Sequence, residues 1–415
     1  MMLNRFFTNK RFLLLAGLLC FFIHSGFIVH HTYYSASKEN TRIFPNPPAK
    51  STKTISIAVP ERWHNFLALN RWDSAYYEQI VKDGYNAKVG STAPFTIMWY
   101  PGYPLIAKPI HVITGWQPTL IFSLLSALFT LSFWLVLWTP AMHSKFGTNT
   151  LSACSALIIC WPGSFYWFAG MTEPLLALIL IGIIYLWITE KFNGIVALLA
   201  YATSVKQVFI PVALAVFSLQ YIKSKPALSG LMLKAIATLT GFACFGMFSL
   251  LFFDNFFLSS DTCVQIYQKK ISFPGLFDLS NYARNFWRLG GITIFFSMFF
   301  LVAVFIKLLK LWPDKTALTV FFKQPQKDLP IELVLWWIAL ACSTFYILGE
   351  AYGSFPFMSM FRFQTTNIPL FLLAAYQLKN LQWWKITILL FPVLWVSVFW
   401  QQIYTVQYWM WKWIA

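Results

Sequence analysis

The sequence predicts an all-α integral membrane protein, a polytopic helical bundle of about eleven membrane segments with a long first extracytoplasmic loop. Three observations carry that expectation. The chain of 415 residues is 58% hydrophobic and only 11% charged, where a soluble domain holds roughly 25% charged residues. Its mean hydropathy is +0.60. Lysines gather in the short connections between apolar runs, so the net charge of +17 follows membrane topology and not a nucleic-acid footprint. No internal repeat or low-complexity tract divides the chain, and residues 1–415 read as one membrane-embedded domain.

Taken in order, residues 1–11 are basic and 12–30 form one apolar run, longer than the core of a cleaved signal peptide. This is the pattern of a retained signal anchor with a cytosolic N-terminus. Residues 32–116 form the first outer loop, marked by Pro45, Pro47 and Pro48. Within it the spacing predicts a short amphipathic helix. Trp72, Tyr76 and Ile80 recur at i, i+4 and i+8, with Glu78, Lys82 and Asp83 on the opposite side. Asn70 or Asp73 supplies an N-cap and Gly84 a C-cap. Such a helix is expected to lie at the membrane interface with its aromatic side down. The run Trp99-Tyr100-Pro101-Gly102-Tyr103-Pro104 reads as an aromatic-belt turn.

Spans at 117–138, 150–169 and 172–189 follow, with an inner turn at His143 and Lys145 and a tight outer turn at Gly170-Met171. The run 195–221 has Lys206 in its middle, and a central lysine costs about 2.5–3.5 kcal/mol in a spanning helix. Parity decides how to fold it. Lys307, Lys310, Lys315, Lys323 and Lys327 form the strongest cytosolic marker, and a single span at 195–221 would put them outside. A hairpin of two short helices, 195–203 and 207–221, puts them inside together with Lys223, Lys225 and Lys234, and lifts Lys206 toward the outer side. Spans at 231–253, 290–310, 331–348, 364–378 and 384–402 complete the bundle, with outer loops at 254–289 and 349–362 and an aromatic tail at Trp409, Trp411 and Trp413.

The six cysteines show no CxxC pair and the six histidines no HExxH, so neither a disulfide framework nor a metal centre is expected. Four ionisable residues fall on the outer side: Asp73, Glu173, Lys206 and Arg362. Charge at membrane depth is expensive, which makes each a functional candidate. Each also has a structural alternative. Asp73 is a helix cap or a base; Glu173 sits on a helix dipole or binds a substrate; Lys206 snorkels or meets an anion; Arg362 anchors a span or meets the same anion. Asp254 and Asp261 read as solvated loop residues.

Trp72-Asp73, Gly84-Tyr85 and Tyr100-Pro101-Gly102-Tyr103-Pro104-Leu105 together resemble the first-loop signature of PIG-V-type mannosyltransferases. These are multi-span GT-C glycosyltransferases that use a lipid-phosphate sugar donor. The likeness continues at Thr172-Glu173-Pro174 and, more loosely, at Lys206 and Phe361-Arg362. Lys206 stands where an arginine is expected, and Trp99-Tyr100 where paired phenylalanines are more usual. The resemblance implies a GT-C helical bundle that transfers a hexose, by likeness mannose, from a polyprenyl- or dolichyl-phosphate to a lipid-linked or extracytoplasmic acceptor. It implies Asp73 as the base of an inverting displacement and Lys206 and Arg362 on the departing phosphate. Glu173, Trp72, Tyr100 and Tyr103 would bind acceptor or sugar. No obligatory cofactor is implied, and a divalent metal is left open. The partners implied are the lipid-phosphate donor, membrane lipids and a glycolipid or glycan acceptor; a partner subunit is left open and nucleic acid is not expected. The site would face the extracytoplasmic or luminal side of a bacterial inner membrane or an ER membrane. The alternative is a transporter or flippase for a lipid-linked or anionic solute, which calls for charges spread along a pore and repeat symmetry. A non-catalytic subunit is the third class, and it predicts that Asp73 is dispensable.

Overall fold

A computed structural model describes residues 9–39, 73–85, 96–267, 269–271, 289–310, 325–326, 328–351, 362 and 364–409. Trp72, Asn70, Lys315, Lys323, Lys327, Phe361, Trp411 and Trp413 lie outside the described residues. The elements in chain order are α1 (Lys10–Glu39), α2 (Asp73–Asp83), α3 (Gly102–Thr114), α4 (Pro118–Leu137), α5 (Pro140–Cys160), α6 (Glu173–Ile188), α7 (Phe192–Ala202) and α8 (Phe209–Ser224). They continue with α9 (Leu228–Thr238), α10 (Thr240–Phe253), α11 (Leu258–Tyr267), β1 (Lys269–Ile271), α12 (Leu289–Lys310), α13 (Ile331–Leu348), β2 (Gly349–Ala351), α14 (Ile368–Gln377) and α15 (Trp383–Trp409).

Among the described residues the regular structure is helical apart from one two-stranded ribbon. Most apolar segments expected from the sequence fall on helices, although the one expected at 150–169 leaves α5 at Cys160, and few are long enough to cross a bilayer alone. Among the described residues three qualify, over Lys10–His30, Pro118–Leu137 and Trp383–Thr405. A fourth arises if α9 and α10, bent by 51° at their junction, count as one span. Five further apolar helices of the described residues are shorter, Glu173–Ile188 and Phe209–Ser224 among them. At 1.5 Å per residue, the 16 residues of α8 reach about 24 Å, short of a core of about 30 Å.

The contacts divide the chain into two compact units, residues Met1–Ile181 with Gln377–Ile414, and Gly182–Tyr376. In the first unit α1 lies on α4 at Gly17, where an added Cβ would come within 3.0 Å of the Trp134 carbonyl oxygen. One turn-pair further on, His24 is buried among the ring edges of Trp134, Trp167 and Phe168. Gln401 of α15 donates to the Ile159 carbonyl oxygen at 3.1 Å, one of those left over where α5 ends. Gly147 breaks α5 with φ of 76°, beside the His143–Thr148 side-chain bond of 2.9 Å. This is where the inner turn is expected. Gly170 takes φ of 65° in the tight turn before α6.

In the second unit α7 and α8 form a hairpin. Lys223 at the end of α8 donates to Glu190, just before α7, at 2.8 Å. Phe192 meets Phe217 edge-on with centroids 5.6 Å apart. The same end gathers the other inner markers. Lys234 donates to Asn193 at 2.9 Å, the Gln326 amide donates to the Ile222 carbonyl at 3.1 Å, and Lys307 stands 4.0 Å from Glu332. At the far end the hairpin turn carries Lys206, and its neighbour Gln207 donates to Ser260 of α11 at 3.1 Å. Beyond α11, β1 pairs antiparallel with β2, with Lys270 opposite Glu350. The loops expected at 254–289 and 349–362 are therefore joined at one end of this unit.

Candidate functional site

The first-loop helix α2 opens on Asp73, which is half-buried. The helix is packed within the first unit against α3 and α4, and it buries Ser74, Tyr77, Glu78, Ile80 and Val81. The stripe Ser74, Tyr77, Glu78 and Val81 follows i, i+3, i+4 and i+7, and Ile80 of the expected apolar side is buried along its edge. Glu78 is thus a correction. It was assigned to the solvated side and is only 4% exposed. The cause is α3. The aromatic-belt turn expected at residues 99–104 instead starts a 13-residue helix at Gly102, which α2 then uses as a wall.

Local chemistry explains why α3 seats α2. Pro104 in the first turn needs no amide donor, and Gly115 caps the far end with φ of 69°. Lys108, on α3, donates from Nζ to the Val81 carbonyl, placing a cation at the C-terminal end of α2. Tyr103 is wholly buried, edge-on to Tyr77 with centroids 5.3 Å apart, and its hydroxyl lies 3.2 Å from Ser126 Oγ. Tyr100 is buried too. Tyr76 stacks on Trp99 at 3.8 Å, and Tyr85 donates to the Trp99 carbonyl at 3.0 Å. That stacked pair stands one turn from Asp73. Burial and then the Asp73 charge push the Tyr76 phenol up.

Glu78 is the residue the sequence reading passed over. Burial raises its carboxyl to about 7, opposed in part by the Thr119 hydroxyl and then by Lys82. Among the described residues its Oε2 has no hydrogen-bond partner. The available signal was the alternative stripe, which fits helical spacing as well as the aromatic one. Nothing local to the helix chooses between them; the choice belongs to the element that covers it.

Glu173 opens α6, follows the Gly170 turn and is wholly buried. In the second unit Lys206 sits in the α7–α8 turn, half-buried, and Arg362 is buried, with its carbonyl accepting from the Thr365 amide at 3.1 Å. Within the first unit Asp73 opens the helix that carries the Tyr76–Trp99 stack, and Tyr103 is buried in the core. Within the second it brings Lys206 to the same end as α11 and the ribbon. Among the described residues no group of three or more His, Cys, Asp or Glu side chains is placed to hold a metal.

Comparison of the chain with protein-family models, with curated proteins and with solved structures finds no match.

Proposed function

We propose that this chain is a polytopic GT-C-type glycosyltransferase of about eleven membrane segments that moves a hexose, by resemblance mannose, from a polyprenyl-phosphate donor to an extracytoplasmic or luminal acceptor. One observation carries the reading: Asp73, the acidic residue of the first-loop signature, is half-buried at the start of a helix held by two neighbours, three residues before Tyr76, which stacks on Trp99. A base needs a fixed backbone and access to the acceptor hydroxyl. A half-buried carboxylate on a docked helix has both, and stacked aromatic faces suit a sugar ring. Lys206 and Arg362 are the cations assigned to the departing phosphate, and Glu173 to the acceptor. The donor's tail enters from lipid, so no nucleotide fold is required.

The bend between α9 and α10 favours a second reading, since interrupted helices beside a polar tip also serve transporters. Incubating the purified protein with labelled polyprenyl-phosphate mannose and crude membranes separates the two. Transfer to a new product supports the enzyme. Uptake or translocation of the labelled lipid without cleavage of its sugar–phosphate bond supports the transporter.

A further inference from the structure

The junction of α9 and α10 interrupts the bond ladder of a continuous helix. In an unbroken helix the Phe242 amide would donate to the Thr238 carbonyl, four residues back. Instead the Thr203 hydroxyl stands between them: it lies 2.9 Å from Thr238 O, its nearer acceptor, with Ala200 O at 3.1 Å sharing the same proton, and it accepts from Phe242 N at 3.3 Å. Thr203 is wholly buried, and it lies three residues before Lys206 at the end of α7. A side chain inserted into the backbone ladder is one of the recognised causes of a sharp kink, and the bend here is 51°. The approach is close. A Cβ on Gly241 would come within 2.5 Å of the Ala200 carbonyl oxygen and 2.6 Å of the Ser204 amide nitrogen. Only glycine lets the bend seat on the hairpin tip.

We propose that Thr203 is a positioning residue. Its hydroxyl replaces the missing helix bond and thereby locks the Lys206 turn to the α9–α10 bend, so that one cannot move without the other. Within a membrane domain the two backbone groups have no water to turn to, so they hold the hydroxyl in place. The bend carries α10 outward to α11, and α11 returns through Ser260 to Gln207, which closes a loop of contacts around Lys206. The role of Lys206 at the donor phosphate is the one proposed above, and the positioning role of Thr203 rests on it.

The test uses the full chain in nanodiscs, with Thr203→Val, which keeps the shape and removes the hydroxyl, and Thr203→Ser, which restores it. A water-soluble amine-acylating reagent is applied, and modification of Lys206 is read by peptide mass spectrometry against Lys223 as internal reference. In parallel, KM and kcat are measured with polyprenyl-phosphate mannose. Thr203→Val is expected to raise Lys206 modification and donor KM by about three- to tenfold, the scale of one lost hydrogen bond, with kcat and acceptor KM unchanged. Thr203→Ser is expected to match wild type in both. If Thr203→Val does not accumulate, Thr203→Cys, a weak donor and acceptor of similar volume, takes its place. Wild-type modification of Lys206 in a folded valine or cysteine variant overturns the proposal. Altered modification in a protein that never transfers mannose supports the mechanical link and overturns the enzymatic reading instead.

Discussion

The first-loop helix and the α7–α8 hairpin are both short helical segments carrying a candidate charge, yet the sequence describes one far better than the other. For the hairpin, a parity argument over distant lysines requires residues 194 and 223 to share an end. The Lys223–Glu190 bond of 2.8 Å and the Lys234–Asn193 bond of 2.9 Å place them so. For α2, local periodicity set Glu78 opposite the aromatic residues, and Glu78 went inward together with Ile80. The difference is one of range. Charge parity sums over the whole chain and does not depend on the phase of any one helix. The side that a helix buries depends on its neighbour, and α3 was hidden in a stretch that reads as a turn.

The largest effect expected in the hairpin is on Lys206. Lys206→Ala should raise donor KM by about ten- to a hundredfold, since a charge-assisted hydrogen bond contributes about 1.5–3 kcal/mol. Lys206→Arg should stay close to wild type. An unchanged donor KM in the alanine variant would return Lys206 to a snorkelling role.

In the first loop, Glu78 should set a pH dependence of stability. Its folded carboxyl lies at about 7 against an ordinary value of 4.5, so the folded form holds a proton that the unfolded chain has released between those values. The favourable contribution is complete below pH 4.5 and is lost as pH rises through about 7. The full swing is on the order of 3 kcal/mol, at about 1.36 per pH unit. Glu78→Gln should therefore melt above wild type at pH 8 and close to it at pH 4.5. Equal melting of the two proteins at pH 8 would mean that Glu78 is hydrated.

Tyr103→Phe should be milder. It removes the hydroxyl contacts to Ser126 and Phe122 and should lower stability by about 0.5–1.5 kcal/mol while leaving KM alone. A raised KM for either substrate would restore Tyr103 to the sugar. The smallest energetic effect belongs to the exposed Lys223–Glu190 pair, whose removal should leave melting unchanged. Its value is geometric. Cysteines placed at positions 194 and 223 should react with an impermeant reagent only from the cytosolic side, and opposite accessibility would break the hairpin.

Much of the fold was legible because apolar length and lysine placement are strong, additive signals. The Gly170 turn, the Gly147 break beside His143 and the joined outer loops all fall where the sequence expects them. The helix Gly102–Thr114 was not legible, because three prolines and two glycines between residues 101 and 115 mimic a loop. Pro101 and Pro104 sit where a helix start tolerates them, and Gly115 ends the helix in a left-handed conformation. The Thr203 bridge was equally hidden, since a hydroxyl that replaces a backbone bond 35 residues away leaves no periodic trace. Asp73 was found through its motif, and the Tyr76–Trp99 stack only through packing.

The central claim is that Asp73, and not the buried Glu78, is the base. Asparagine caps a helix about as well as aspartate, so Asp73→Asn keeps the fold and deletes the base. Mannose transfer by Asp73→Asn, set against Glu78→Gln in the same assay, is the direct test. The account predicts a loss of at least about a hundredfold for Asp73→Asn, the lower range of a general base, with near-normal melting and with Glu78→Gln active. Transfer by well-folded Asp73→Asn above about a tenth of the wild-type rate, or a dead Glu78→Gln, would contradict it.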